Sequence, residues 1–248
     1  MSSGQGEGEA GGSSGRDSRR RHRPTRIILG VTGSVAAVRA PKLYRTLTEA
    51  GHLVRVVATE PSLYFFDPAE IKASTLDADP STNDPETGGP LFRDRHEWPE
   101  PRYVRGDPVR HIAFRDWADT LVVAPLDANT LAKFALGLAD NFLTCLFRAW
   151  NFAKPVILAP AMNTLMWESP VTRRHLTQIL EDRASANAIP RNWTLAEAAE
   201  IFAEQAPGIV LVPPQAKTLA CGDFGIGAMA EVPSIAEAVR ATLGEVEV

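Results

Sequence analysis

Residues 27–36 read Ile-Ile-Leu-Gly-Val-Thr-Gly-Ser-Val-Ala and decide the fold. The first five form a short apolar run, which is typical of a parallel strand buried on both faces. The run breaks at a Thr-Gly-Ser turn, where Ser34 can cap a following helix. Pro41 divides or kinks that helix, and Gly51 ends it before a second strand at residues 52–59. The stretch therefore predicts the strand–helix–strand start of an α/β protein.

The same pattern recurs along the chain. Apolar runs at residues 120–124, 156–159 and 209–212 predict further buried strands. Helical stretches fall between the strands, including residues 129–138 and 141–150. Strands that alternate with helices imply a mostly parallel sheet. We therefore predict an α/β fold, a Rossmann-like or flavodoxin-like open parallel sheet with helices on both faces.

Composition excludes some classes of function. The chain has 248 residues, 44% of them apolar, a net charge of −4 and an isoelectric point near 5.8. This balance argues against nucleic-acid binding, which needs a basic surface, and favours small-molecule chemistry. No apolar run approaches the roughly 20 residues that span a bilayer, and the first residues lack the apolar core of a secretory signal. We expect no membrane partner and a cytoplasmic location.

Four segments define the predicted domain organisation. Residues 1–25, rich in Gly, Ser and Arg, are predicted to be a disordered tail, and residues 26–248 a single domain. Residues 73–107, rich in Asp, Pro, Thr and Gly, are predicted to be a long surface excursion. Residues 182–208 form an insertion with an amphipathic helical pattern. That helix either packs on the domain or covers a partner surface, and the sequence leaves both open.

The cysteines and histidines do not predict a metal site. Cys145 and Cys221 lie in unrelated contexts, without the paired spacing of structural zinc or the framework of a disulfide-rich protein. The five histidines show neither HxxxH nor HxH spacing. We therefore predict free thiols and no metal, with Cys145 in the core.

An anion site is expected where the carboxyl ends of strands meet helix N-termini. Gly33 and Ser34 occupy that place after the first strand. The full GxGxxG fingerprint is absent, and Thr59 stands where a ribose-binding acid is expected, so a mononucleotide is favoured over a dinucleotide. Residues 127–130 form a second polar turn at the same edge, although helix capping explains one such residue. We predict a pocket where these turns converge.

A family resemblance rests on five stretches. They are TGSVAA at 32–37, APLDANTL at 124–131, DN at 140–141 with RAW at 148–150, PAMNTLMW at 160–167, and LACGD at 219–223 with GAMAE at 227–231. In this order they resemble the homo-oligomeric flavin-containing cysteine decarboxylases, over about residues 26–243. The resemblance implies non-covalent FMN and a homotrimer or trimer-based assembly with active sites between subunits. The extra length between His175 and Pro213 departs from the family pattern.

The resemblance also implies roles for individual residues. Expected FMN contacts are Gly33, Ser34 and Val35 at the phosphate, Thr59 and Phe65 near the flavin, and Ala128, Asn129 and Thr130 at the ribityl chain or ring. Expected substrate contacts are Met162, Asn163, Met166 and Trp167. The expected catalytic residues are His111, Asn163 at the substrate carboxylate, and Cys221 as the acid on a closing loop.

The implied reaction is FMN-dependent decarboxylation of 4′-phosphopantothenoylcysteine to 4′-phosphopantetheine in coenzyme A biosynthesis. Loss of CO₂ from an unactivated carboxylate needs an electron sink. Oxidation of the cysteinyl thiol carbon would give a thioaldehyde that accepts the electrons left by CO₂, and the enethiol product would then be reduced and protonated. Alternatives are a peptidyl-cysteine decarboxylase, a non-catalytic flavin-binding regulatory subunit of a protein phosphatase, a flavin prenyltransferase and a nicotinamide dehydrogenase.

Overall fold

The computed structural model describes residues 24–72, 89–99, 101–184, 189–218 and 224–244. Its centre is a parallel sheet of β1 (Arg26–Val31), β2 (Leu53–Ala58), β3 (Leu91–Arg93), β4 (Thr120–Leu126), β5 (Val156–Pro160) and β6 (Ile209–Leu211). The strand order is β3-β2-β1-β4-β5-β6, and every neighbouring pair is parallel. Strands β7 (Gln215–Thr218) and β8 (Phe224–Ala228) form a separate antiparallel hairpin.

Helices cover this sheet. The α-helices in the described residues are α1 (Ala40–Glu49), α2 (Arg110–Trp117), α3 (Ala128–Leu136), α4 (Phe142–Arg148), α5 (Thr164–Trp167), α6 (Pro170–Glu181), α7 (Ala198–Gln205) and α8 (Val232–Leu243). A 3₁₀ helix, Val35–Arg39, precedes α1, and Pro41 stands in the first turn of α1. The helix predicted after β1 is therefore divided close to Pro41, as the sequence indicated. No helix in the described residues is both long and apolar enough to cross a bilayer.

Side chains along the central strands alternate between two apolar cores. Ile27 and Leu29 pack on the face that α1 and α8 cover, whereas Ile28 packs on the face that α2, α3, α4, α6 and α7 cover. All three side chains are fully buried. A strand buried on both faces has no polar face, which explains the continuous apolar runs of the sequence. The predicted open parallel sheet with helices on both faces is confirmed.

Thr32 ties β1 to β4 where the strand order reverses. Its hydroxyl donates to the Pro125 carbonyl at 2.9 Å and accepts from the Asp127 N–H at 2.7 Å. The chain leaves β1 towards β2 on one side and leaves β4 towards β5 on the other, which opens a crevice between the two turns. Open α/β sheets bind ligands in such a crevice. The topology therefore places a candidate site beside Thr32.

The predicted surface excursion at residues 73–107 is wrong for its central part. Strand β3 extends the sheet beside β2, with Val57 opposite Phe92 in the register. Phe92 is fully buried and meets the Phe114 ring edge to face, with ring centroids 4.6 Å apart. A three-residue strand is too short to show a period, so only the edge of β2 makes this segment a strand. Residues 73–88 and 100 lie outside the described residues.

The insertion at residues 182–208 adds to the core in its described part. Phe202 of α7 and the preceding Trp193 are 0% and 4% exposed and belong to the α6 side of the core. Arg173 of α6 lies over the Trp193 ring, 5.5 Å from its centroid, and donates to the Arg191 carbonyl at 2.7 Å. The described part of the insertion thus packs on the domain. The predicted tail lies outside the described residues, apart from residues 24 and 25.

Candidate active site

Three turns meet at Gly33. A Cβ atom at this position would stand 2.7 Å from Cβ of Pro61 and 3.4 Å from a carboxylate oxygen of Asp127. Pro61 follows β2 and Asp127 follows β4, so the turns after three neighbouring strands come together here. Only glycine allows this approach, because any side chain would push the turns apart. The convergence of polar turns that the sequence predicted is present in the structure.

Ser34 starts the helical segment after β1. Its hydroxyl accepts from the Ala36 N–H at 3.4 Å, and its extended backbone forms the N-cap of the 3₁₀ helix. Val35 is half exposed, at 50%. Backbone N–H groups at such a helix start and a serine hydroxyl suit a phosphate oxygen. The phosphate role predicted for Gly33, Ser34 and Val35 is thus compatible with the geometry and stays a prediction.

A cleft of about 360 Å³ opens beside this helix start. It lies between the 3₁₀ helix, the segment after β5 and the β7–β8 hairpin, and its walls include Ser34, Val35, Arg39, Met162, Asn163 and Lys217. The structure therefore brings two predicted flavin residues and two predicted substrate residues into one cavity.

The hairpin is seated on the segment after β5. The Met162 N–H donates to the Gly227 carbonyl of β8 at 3.0 Å. In the register, Thr218 pairs with Phe224, and the chain between them contains Cys221. Cys221 lies outside the described residues, but the strands on either side of it border the cleft through Thr218 and Gly227. Its predicted acid role stays a prediction.

A small ionic network joins the two walls of the cleft. Glu231 binds Arg39 of the 3₁₀ helix at 2.9 Å and Lys217 of β7 at 3.1 Å. The Gln215 amide also donates to Glu231, at 2.9 Å. Hydrogen bonds from Lys217, Gln215 and Arg39 lower the pKa of the Glu231 carboxyl from its ordinary value to about 2. The carboxylate stays charged at neutral pH and holds two cations at the cleft.

Asn163 caps α5. Its side-chain oxygen accepts from the Met166 N–H at 2.8 Å, so helix capping explains one half of the amide. The other half is an NH₂ donor, which suits a carboxylate ligand. Met166 is 44% exposed, whereas Trp167 is 3% exposed and packs in the core. Neither residue is among those that line the cleft, and both predicted substrate contacts stay predictions.

The remaining predicted flavin residues lie at the neighbouring turns. Thr59 directly follows β2, is buried, and its N–H donates to the Val31 carbonyl at 3.0 Å. Phe65 follows a short 3₁₀ helix on that side. The other three, Ala128, Asn129 and Thr130, form the first turn of α3, where Asp127 caps the helix by accepting from the Thr130 N–H at 2.7 Å. They share the Gly33 edge of the sheet without lining the cleft.

His111 lies elsewhere. It stands in the first turn of α2 and does not belong to the walls of the cleft. Its ring Nδ1 is in contact with a carboxylate oxygen of Glu97, a residue that is almost completely buried. Within the described residues, His111 is therefore not among those that line the cleft with Ser34 and Asn163.

Glu97, His111 and Cys145 place three possible metal ligands within 4.8 Å of one another. Burial, followed by the negative charge of the nearby Glu97, raises the pKa of the Cys145 thiol to about 11. That thiol donates to the Ala139 carbonyl at 3.5 Å. Cys145 is only partly buried, so its predicted place in the core is wrong. Metal ligation needs a thiolate, so a metal ion bound here would have to displace the thiol proton.

Four residues of the described site were missed from the sequence. Glu97 lies in the stretch that read as a surface excursion, and its contact with His111 has no signature in spacing. Arg39, Lys217 and Glu231 are ordinary charged residues, and only Glu231 falls within a stretch that carries the resemblance, without an expected role. The charge of such residues is visible in the sequence, but their meeting depends on the hairpin returning to the 3₁₀ helix.

Comparison with known proteins identifies the family of this chain. The flavoprotein family matches residues 15–244. The chain belongs to this family. A curated relative from Arabidopsis thaliana, named phosphopantothenoylcysteine decarboxylase, is 42% identical over 218 residues, which cover 88% of this chain and 85% of the relative. The resemblance to flavin-containing cysteine decarboxylases is confirmed.

Two solved structures share the fold of this flavoprotein. One is a Cys-to-Ser mutant of PPC decarboxylase complexed with pantothenoylaminoethenethiol, with a TM-score of 0.69 and 41% identity, covering 90% of this chain and 100% of that one. The other is the FMN binding protein AtHal3, with a TM-score of 0.66 and 41% identity, covering 91% and 100%. The glycine turn at Gly33, which a Cβ atom would fill, and the helix start at Ser34 fit the phosphate end of a flavin nucleotide.

Proposed function

We propose that this flavoprotein is a phosphopantothenoylcysteine decarboxylase, which converts 4′-phosphopantothenoylcysteine to 4′-phosphopantetheine and CO₂ in coenzyme A biosynthesis. The observation that carries the proposal is the cleft in which Ser34 and Asn163 face the hairpin that bears Cys221. The names of relatives that match most of both chains agree with this reaction. We further propose a cytoplasmic location, because a thiol acid needs a reducing compartment.

The proposed cofactor is FMN. Gly33, Ser34 and Val35 would hold its phosphate, and the predicted residues at the β2 and β4 turns would hold the rest. A dinucleotide would need an acidic residue just after β2 to bind its ribose, and Thr59 stands there instead. This favours a mononucleotide such as FMN. When bound, the flavin supplies the electron sink, taking two electrons from the cysteinyl thiol carbon and returning them after CO₂ has left.

The chain's own residues would bind the substrate and move protons. Asn163 would donate its NH₂ to the substrate carboxylate, and Arg39 and Lys217 give the cleft positive charge for the substrate's acidic groups. Cys221 would supply the proton that ends as a C–H bond of the product. The hairpin, seated on Met162 through Gly227, would close the cleft and exclude water.

We propose a homotrimer in which one copy supplies His111 to the cleft of its neighbour. The segment before His111 supports this, because Tyr103, Val104 and Val109 are 71%, 64% and 45% exposed in the isolated chain. Apolar side chains grouped in this way are typical of an interface. Native mass spectrometry should give three times the chain mass, and a monomer would contradict the assembly.

Turnover is the first test. The purified yellow protein is incubated without oxygen with 4′-phosphopantothenoylcysteine, and the products are identified by mass spectrometry. We expect 4′-phosphopantetheine from the wild type and accumulation of a decarboxylated enethiol with Cys221→Ser. A yellow protein without turnover points to a peptidyl-cysteine decarboxylase, tested with C-terminal cysteine peptides, or to a regulatory subunit. A protein that cannot bind flavin contradicts the proposal.

Mixed assemblies test the shared site. His111→Asn and Asn163→Asp are each expected to keep only a small residual activity, because every site in either assembly lacks one of the two residues. When the two variants are coexpressed, some interfaces pair an intact His111 with an intact Asn163, and activity should return. Coexpression of two differently tagged copies of His111→Asn is the control, because no interface in that mixture holds an intact His111 and activity should stay absent. If pull-down through one tag shows that the two variants assemble and activity still does not return, both residues serve the same chain.

A further inference from the structure

Glu97 contacts His111 twice. One carboxylate oxygen meets the ring Nδ1, and the other accepts the backbone N–H of His111 at 3.0 Å. The Glu97 side chain is 4% exposed and the His111 side chain 22%. Because both oxygens of this buried carboxylate contact the same histidine, Glu97 fixes the imidazole ring relative to the His111 backbone.

This arrangement selects the position of the ring proton. A carboxylate only accepts hydrogen bonds, and a backbone N–H only donates. Both His111 groups that contact Glu97, the backbone N–H and the ring Nδ1, are therefore donors. Nδ1 carries the ring hydrogen. The neutral ring then keeps its free electron pair on Nε2, the nitrogen that does not contact Glu97. Nε2 can accept a proton, and the carboxylate would stabilise the resulting imidazolium.

Glu97 is itself held in place. It follows the short 3₁₀ helix Asp94–His96, and its N–H donates to the Asp94 carbonyl at 3.0 Å. The Asp94 carboxylate accepts the N–H of Phe142 at the start of α4, at 3.3 Å. The segment is thus pinned between the sheet edge and α4. A carboxylate on so short and anchored a segment can define a ring orientation.

We propose that Glu97 is a positioning residue for His111, fixing its Nδ1–H tautomer so that Nε2 exchanges protons with the substrate. This inference rests on the proposed function, in which His111 is catalytic. Glu97 does not touch the substrate, and it acts only through the imidazole.

The variant Glu97→Gln keeps the shape and changes the hydrogen bonding. An amide has an acceptor oxygen at one end and an NH₂ donor group at the other, so its two ends cannot accept from both the backbone N–H and Nδ1–H. Its NH₂ group would face Nδ1 and drive the ring to the Nε2–H tautomer. By analogy with a carboxylate-to-amide change beside a catalytic histidine, kcat should fall by about 10²–10⁴-fold, with KM changed by less than about threefold.

Two further variants separate positioning from folding. Glu97→Asp retains two acceptor oxygens and should recover part of the lost kcat. In a His111→Asn background, Glu97→Gln should lower kcat little further, because substitutions of two residues that act as one unit do not have additive effects. Asp119→Asn is the matched control, since its carboxylate also accepts a backbone N–H, from Arg26 at 2.9 Å, at the opposite end of the sheet.

Nitrogen-15 NMR of protein labelled at histidine reports the tautomer of His111 independently of enzyme activity. The His111 signal is assigned as the one that is missing from the spectrum of His111→Asn. We expect Nδ1–H in the wild type, Nε2–H in Glu97→Gln and no change in Asp119→Asn. An unchanged tautomer in Glu97→Gln, or a kcat loss that persists undiminished in the His111→Asn background, would overturn the inference. If the wild type does not turn over the substrate, the proposed function fails, and the tautomer shift still decides whether Glu97 positions His111.

Discussion

A Cβ atom at Gly227 would stand 2.3 Å from the carbonyl oxygen of Met162. The same two residues are joined in the other direction, because the Met162 N–H donates to the Gly227 carbonyl at 3.0 Å. Gly227 also has a φ angle of +149°, which side chains rarely adopt. The hairpin that carries Cys221 therefore touches the substrate segment through bare backbone, and a side chain at this contact would lift it.

Gly227→Ala should lower decarboxylation strongly while leaving the fold intact. Displacing a catalytic loop by about 1 Å can cost about 10²-fold in rate, so we expect that loss in kcat/KM. Gly51→Ala is the control, because Gly51 has a φ of +92° and nothing within 4 Å of a Cβ atom. Gly51→Ala should lose about 1–2 kcal/mol of unfolding free energy from backbone strain, and Gly227→Ala at least as much, because its Cβ also meets the Met162 carbonyl oxygen. Normal turnover by Gly227→Ala would refute the contact.

The fold was largely predictable because buried parallel strands leave a strong pattern. The residues around Ile28 show it, since a strand packed on both faces must be apolar throughout. Strand β3 was not predictable, because Phe92 becomes part of a strand only when the edge of β2 offers it hydrogen bonds. Three residues contain too few positions for a period to show.

The candidate site was predictable only in its backbone turns. The carboxyl ends of parallel strands lie at one edge, so Gly33 and Asn163 could be expected together. The ionic partners could not, since Arg39 and Glu231 are 192 residues apart in the chain. No spacing in the sequence predicts that His111 is absent from the residues lining the cleft, and only the family resemblance, with its sites between subunits, pointed that way.

Glu231→Gln should loosen the hairpin in a pH-dependent way. The folded pKa of Glu231 is about 2, below its ordinary value of 4.5. Its charge therefore stabilises the fold above pH 4.5, and this contribution disappears as pH falls towards 2. The network is largely solvent-exposed, so we expect no more than about 1 kcal/mol at neutral pH and low salt.

Urea unfolding from pH 7 to pH 3 measures that difference, and hydrogen exchange reports the β7–β8 amides. Glu237→Gln is the control, since Glu237 pairs with Arg240 on α8 and contacts neither Arg39 nor Lys217 through a described ion pair. Faster exchange in the hairpin should appear with Glu231→Gln alone. Equal exchange in both variants would mean that the network does not hold the hairpin.

Trp193→Ala should destabilise the whole domain. Trp193 is 4% exposed in the core beside α6, and truncating a buried tryptophan costs about 3–5 kcal/mol. Trp98 is 57% exposed, so Trp98→Ala should change the unfolding free energy by less than about 0.5 kcal/mol. Urea denaturation compares the two. A small effect of Trp193→Ala would mean that the insertion is only loosely attached.

Cys145 should resist thiol reagents. Its pKa of about 11 leaves, at pH 8, a thiolate fraction about 100 times lower than that of a thiol with the ordinary value of 9.0. Because the chain has two cysteines, Cys221→Ser isolates Cys145 and Cys145→Ala isolates Cys221. Iodoacetamide labelling, followed by mass spectrometry, should be slow in the first variant and become fast when the protein is unfolded in urea. Rapid labelling of folded Cys221→Ser would show that partial burial does not raise the pKa of the Cys145 thiol.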